Sequence, residues 1–170
     1  MWSIMRKVNN INICMNTADY TKIKDSAYLS YSQFKPIRCP QLGSKVVFND
    51  KGFWHIIYRA KDKKRDESSQ ILRFRLLKKV KELLSITTTI QEYESVTREL
   101  TVKDHGKKVV KLVTLQFFGY IAIIDNWKFK AIIRKDGNGQ PYFWSVIPNW
   151  ITNKKRDQRY QNYVGNLEED

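Results

Sequence analysis

Along Trp127-Lys-Phe-Lys-Ala-Ile-Ile-Arg134 the residue types alternate. Successive side chains of a strand leave opposite faces. Lys128, Lys130, Ile132 and Arg134 therefore share one face, and Trp127, Phe129, Ala131 and Ile133 the other. Three cations then fall within about 20 Å, at roughly 3.3 Å per residue. That spacing suits a surface that tracks phosphates, although a plain solvated strand alternates in the same way. A turn, Lys135-Asp-Gly-Asn-Gly-Gln140, leads back into Tyr142-Phe-Trp-Ser-Val-Ile147, as a hairpin does. Regular alternation places Tyr142, Trp144 and Val146 on one face and Phe143, Ser145 and Ile147 on the other. Which face meets the core stays open at this level. Cations beside aromatics suit single-stranded nucleic acid, which offers phosphates and stackable bases.

His55 stands in Gly52-Phe-Trp-His-Ile-Ile-Tyr-Arg59. Histidine exchanges protons near neutral pH. The cations Arg59, Lys61, Arg73 and Arg75 lie close by in sequence. The alternative is a core histidine packed against Trp54 and Tyr58. His105, in Lys103-Asp-His-Gly-Lys107, reads as an exposed turn without a role. Cys14 and Cys39 have no CxxC spacing, and the two histidines are far from them, so no zinc site is expected. Neither GxxxxGK nor GxGxxG occurs, so no nucleotide cofactor is expected. Nor are the acids clustered as in metal-dependent nucleases. Cleavage of RNA through its own 2′-hydroxyl needs only a proton acceptor, a proton donor and stabilisation of a phosphorane. Histidine, lysine, arginine, tyrosine and serine can supply these.

The charge balance points the same way. The 170 residues carry 31 Lys and Arg against 17 Asp and Glu, a formal charge of +14. A compact fold tolerates that self-repulsion most readily with a polyanionic partner. Nucleic acid comes first; an acidic protein or membrane surface would also satisfy charge alone. No apolar run approaches the roughly 18 residues of a membrane helix, and the start, MWSIMRKVNN, has no apolar signal core. A cytoplasmic protein without a membrane partner is the expectation, in line with the few cysteines.

The elements that must position these side chains follow from period and punctuation. Residues 1–44 read as an arm or helical segment, with Tyr20, Tyr28 and Tyr31 scattered through polar sequence and Pro36 and Pro40 breaking it. Lys45-Val-Val-Phe48 reads as a strand, and Asn49 or Asp50 can cap a following helix; the segment 53–59 is too short to classify by period alone, though a helix there would place Phe53, Ile56 and Ile57 together. The mixed charges of 61–67 suggest a loop. Ser68 and Ser69 are expected to cap a helix running to about Ser85, with Leu72, Leu76, Val80, Leu83 and Leu84 at helical spacing and Arg75, Lys78, Lys79 and Glu82 on another face. Residues 86–96 and 109–124 read as strands, with Gly119 marking a bulge or bend. Residues 148–170 read as a tail or helix. Helices followed by an antiparallel meander make an α+β domain.

The succession Gly52-Phe-Trp-His-Ile, Ile71-Leu-Arg-Phe-Arg-Leu-Leu, Lys130-Ala-Ile-Ile-Arg134 and Phe143-Trp-Ser-Val-Ile147 resembles the phage and mobile-element nucleases grouped around barnase, EndoU, colicin and RelE (BECR). The resemblance covers 45–147, leaving 1–44 as arm and 148–170 as tail. It implies N-terminal helices packed on a four-stranded antiparallel sheet. It also implies a metal-independent, toxin-like endoribonuclease that cuts tRNA or mRNA to leave a 2′,3′-cyclic phosphate. His55, Arg73 or Arg75, Arg134 and Ser145 match its catalytic positions. Arg59, Lys61, Lys78, Lys79, Lys128, Lys130, Tyr142 and Trp144 are the expected nucleic-acid contacts. A toxin of this kind would need an acidic antitoxin or immunity protein. The competing expectation is a non-catalytic nucleic-acid-binding protein of a phage or mobile element.

Overall fold

The computed structural model describes residues 17–60 and 63–148. The expected tail from 149 onward, the first 16 residues of the expected arm, and Lys61 lie outside them. Three helices, α1 (Thr17–Ser32), α2 (Asp50–Ile57) and α3 (Glu67–Ile86), accompany a four-stranded antiparallel sheet. Its strands are β5 (Glu92–Asp104), β6 (Lys107–Ile124), β7 (Trp127–Asp136) and β8 (Tyr142–Pro148), hydrogen-bonded in chain order. The described residues also form two small ribbons: β1 (Ile37–Cys39) with β2 (Ser44–Val46), and β3 (Tyr58–Ala60) with β4 (Lys63–Lys64). Among the described residues no helix is long and apolar enough to cross a membrane.

The helices start where side chains satisfy their first amides. Asn49 caps α2, its Oδ1 accepting from the Gly52 amide at 3.2 Å. Asp66, not Ser68 or Ser69, caps α3: its carboxylate accepts from the Ser69 amide at 2.7 Å and from the Ser68 hydroxyl at 2.5 Å. A charged acceptor takes the amide more strongly than a serine would, so Ser68 is drawn in as a donor. Along α3, Ile71, Phe74, Leu77, Val80 and Leu84 recur every three or four residues and are buried. The strand expected over 86–96 begins only at Glu92. Ile86 ends α3, and Thr87 caps it, its backbone N–H donating to the Leu83 carbonyl at 2.9 Å.

The boundary expected at 44/45 falls inside the β1–β2 ribbon, and the expected helical segment before it contains α1. Tyr20, Ile23, Ala27 and Tyr31 form one stripe of α1 facing the core, and Tyr20 and Tyr31 are 4% and 1% exposed. Tyr31 packs at tilted and edge-on angles against Phe34, Phe48, Phe53 and Phe143, and its hydroxyl donates to the Asn49 carbonyl at 2.9 Å. Residues 17–44 are therefore part of the domain.

The main core lies between the helices and one sheet face, which supplies Tyr120, Phe129, Ala131, Ile133, Phe143 and Val146. The other face carries a smaller cluster of Leu115, Phe117 and Ile132, with Val96, Leu100, Val113, Trp144 and Ile147 against it. The hairpins use the backbone their twist requires: His105-Gly106 and Asp125-Asn126 both have positive φ at both turn residues. Gly119 is not a bulge, because its pairing with Glu92 and Ile132 is in register.

Candidate functional site

The site begins with an irregularity in β8. Ile132 pairs with Ser145, but the next residue, Ile133, pairs with Phe143. Trp144 is thus the extra residue of a β-bulge, which breaks the two-residue period. Phe143 and Val146 both enter the main core, while Trp144 and Ile147 both join the smaller cluster. The expected grouping of Tyr142, Trp144 and Val146 on one face is therefore wrong. Alternation on β7 holds, since no bulged residue interrupts that strand.

Trp144 joins the two candidate groups of greatest chemical interest. The His55 imidazole of α2 stacks on its indole, with centroids 4.0 Å apart and planes 27° from parallel. The Arg134 guanidinium lies 4.5 Å from the same indole, 5.6 Å from the Phe117 ring and 5.9 Å from the Tyr142 ring. Such contacts hold a guanidinium plane by cation–π attraction. Asp136, two residues on along the strand, accepts from Arg134 Nε at 2.6 Å. The Tyr142 hydroxyl donates to the same carboxylate at 3.2 Å. Burial raises the Tyr142 phenol well above its ordinary range; Asp136 adds to this and Arg134 opposes it.

Lys130 differs from expectation more sharply. It is 1% exposed and donates from Nζ to Glu92 Oε2 at 3.0 Å. The contact spans two strands because Gly119 lies between them. A Cβ at 119 would stand 3.0 Å from the Glu92 Cβ and 3.4 Å from its Oε2. The glycine serves as a channel for the Glu92 side chain, and Lys130 is a buried ion-pair member, not an open phosphate contact.

The remaining candidates scatter. His55, Arg134, Trp144 and Tyr142 come together, but Tyr142 is 5% exposed and offers no open ring face. Arg73 and Ser145 meet each other instead of solvent: the Arg73 guanidinium donates to Ser145 Oγ at 3.0 Å and to the Val146 carbonyl at 2.5 Å. Both side chains are buried, and they tie α3 to β8 as structural groups. Arg75 and Lys78 are exposed on α3 and line a groove against α1. Lys79 pairs with Asp125 in the β6–β7 turn. Lys128 is half-buried, and Arg59 is exposed on β3. Asp136, Phe117 and Glu92 were not anticipated. The sequence signal for Glu92 was cross-strand register, which puts Glu92, Gly119 and Ile132 in one row.

Among the described residues no three His, Cys, Asp or Glu side chains converge as metal ligands. What the fold and site define is an α+β domain with an imidazole, an indole and a guanidinium assembled at a bulged edge strand. The chain matches no family model, no curated protein and no solved structure.

Proposed function

We propose that the chain is a metal-independent endoribonuclease of BECR type, acting at the His55–Trp144–Arg134 assembly. The observation carrying this reading is that one indole, that of Trp144, contacts both the His55 imidazole and the Arg134 guanidinium. In the reaction, the RNA 2′-oxygen attacks the adjacent phosphorus and gives up its proton to a base. The bond from phosphorus to the 5′-oxygen breaks, and that oxygen takes a proton from an acid. A 2′,3′-cyclic phosphate and a 5′-hydroxyl result. His55 carries one of the two proton transfers, and Arg134 faces the dianionic phosphorane. The net charge of +14 raises the local concentration of RNA.

The test is incubation with RNA in EDTA and mapping of the fragment ends. Cyclic phosphate ends are expected; magnesium dependence with 5′-phosphate ends would overturn the reading. His55→Gln should lower turnover about 10²–10⁴-fold, the usual contribution of a positioned acid or base, with RNA affinity little changed. A thermal melt beside the kinetics separates lost chemistry from lost packing. A second reading, RNA binding without cleavage, is favoured by the engagement of Arg134 by Asp136. Full RNA affinity without turnover under any metal condition would select it.

A further inference from the structure

A groove of about 420 Å³ runs between α1 and α3, on the helical side of the molecule. Its floor is apolar: Ile23 and Ala27 from α1, Phe74 and Leu77 from α3. Its rim is cationic. Lys22, Arg75 and Lys78 are all exposed, and no Asp or Glu among the described residues lines the groove. None of these three has an ion-pair partner among the described residues. The cations of the sheet are treated differently: Lys130 is held by Glu92 and Arg134 by Asp136. Unmatched cations around an apolar floor call for a ligand that is apolar in the middle and acidic at its edges.

We infer that this groove docks an acidic amphipathic helix of a partner protein. The walls favour a helix. Ser26 and Ser30 stand one turn apart on α1 and are exposed. Small side chains let a third helix approach to an ordinary interaxial distance of about 8–10 Å. Apolar residues at i, i+3, i+4 and i+7 of the incoming helix would lie on the floor. Its flanking carboxylates would reach Lys22, Arg75 and Lys78. Nucleic acid fits less well, because it would stack on open aromatic faces. Phe74 is only 8% exposed, and the Lys81 ammonium lies 4.9 Å from the Phe34 ring centroid.

The experiment uses the full chain and two labelled synthetic peptides of equal composition. One places leucines at i, i+3, i+4 and i+7 with glutamates on the flanks; the other scrambles the leucines. The amphipathic peptide should bind at least about tenfold tighter, equivalent to ~1.4 kcal/mol. Ser26→Glu/Ser30→Glu, at exposed positions where Glu is the better helix former, should weaken it by at least that factor. RNA cleavage and melting temperature should remain unchanged. Hydrogen exchange on peptide addition should slow in α1 and α3. Equal binding of both peptides, no binding, insensitivity to the Glu pair, or protection in β7 and β8 instead would each overturn the proposal. So would displacement of the peptide by single-stranded RNA, which would assign the groove to nucleic acid.

Discussion

Gly52→Ala is the substitution that most directly tests how α2 carries His55. Alanine in a helix normally gains about 0.5–1 kcal/mol over glycine. At position 52 the added Cβ would stand 2.1 Å from the Phe143 carbonyl oxygen, 3.0 Å from its carbon and 2.9 Å from the Tyr31 hydroxyl. The first two neighbours are backbone of β8 and cannot rotate away. Ordinary contact requires at least about 1 Å more, so α2 and β8 must separate by that amount. Overpacking of this kind costs about 1–3 kcal/mol, and a backbone clash belongs at the upper end. After subtracting the helix gain, the net loss is about 2 kcal/mol, or roughly 4–8 °C in Tm for a chain of this size. His55 lies three residues beyond Gly52, and its partner Trp144 follows Phe143. The same separation therefore opens the stack, and a displacement near 1 Å can cost about 10² in rate. The assay is a thermal melt, RNA turnover and the near-ultraviolet circular dichroism of the protein. A variant as stable as the parent, with full turnover, would refute the close approach and the positional argument with it.

Three further outcomes follow from named contacts. Glu92→Gln leaves the Lys130 ammonium 1% exposed without its carboxylate; because Glu92 itself is a quarter exposed, a urea titration should show a loss of about 2–3 kcal/mol, below the 3–5 of a fully buried pair. Arg73→Met removes the donors to Ser145 Oγ and the Val146 carbonyl, and should cost about 1–3 kcal/mol in the same titration, whereas Arg75→Met should cost almost nothing. The bonds from Ser68 and the Ser69 amide hold the Asp66 carboxyl below its ordinary value of 3.8. Its contribution is therefore complete above that value and lost as pH falls through the lower folded-state value. Asp66→Ala should cost about 1 kcal/mol near neutrality and converge with the parent in strongly acidic titrations.

The parts of the fold legible in the sequence are those with an undisturbed period. The β7 alternation from Trp127 to Arg134 sorted the residues into two faces as observed, because every residue from Phe129 to Arg134 keeps a cross-strand partner on β6, but which face met the core was not readable. The α2 cap was readable as Asn49 or Asp50, and Asn49 holds it; of the expected α3 stripe, Leu76, Val80, Leu83 and Leu84 are buried while Leu72 is half-buried. Failures occurred where tertiary packing set the outcome. The stripe Tyr20, Ile23, Ala27, Tyr31 on α1 was obscured by Tyr28 and Leu29, which are exposed on other faces. The bulge at Trp144 carries no local signature, since neither glycine nor proline marks it. Lys130 looked like a solvated cation because its partner Glu92 lies 38 residues away. Of the site, His55, Arg134 and Trp144 were named from residue type, but their convergence on one indole was not.

The bulge explains why fold and site cannot be separated here. β8 is an edge strand. Its beginning is completed by the backbone around Val47, which accepts from the Phe143 amide at 2.9 Å and donates to the Pro141 carbonyl at 3.0 Å. Arg73 then occupies the Val146 carbonyl. Between these two anchors the strand holds one residue more than β7 requires, and that residue is Trp144. Regular pairing would restore the two-residue period, returning Val146 to the face of Trp144 and removing it from the main core. The extra residue thus lets Phe143 and Val146 both serve the core while the indole turns toward Arg134 and His55. Gly52 permits α2 to come close enough for its imidazole to stack there. Core packing, edge protection and the candidate chemistry therefore depend on the same few backbone positions. Substitutions at Gly52 and Arg73 should consequently affect stability and RNA turnover together, while His55→Gln should separate them.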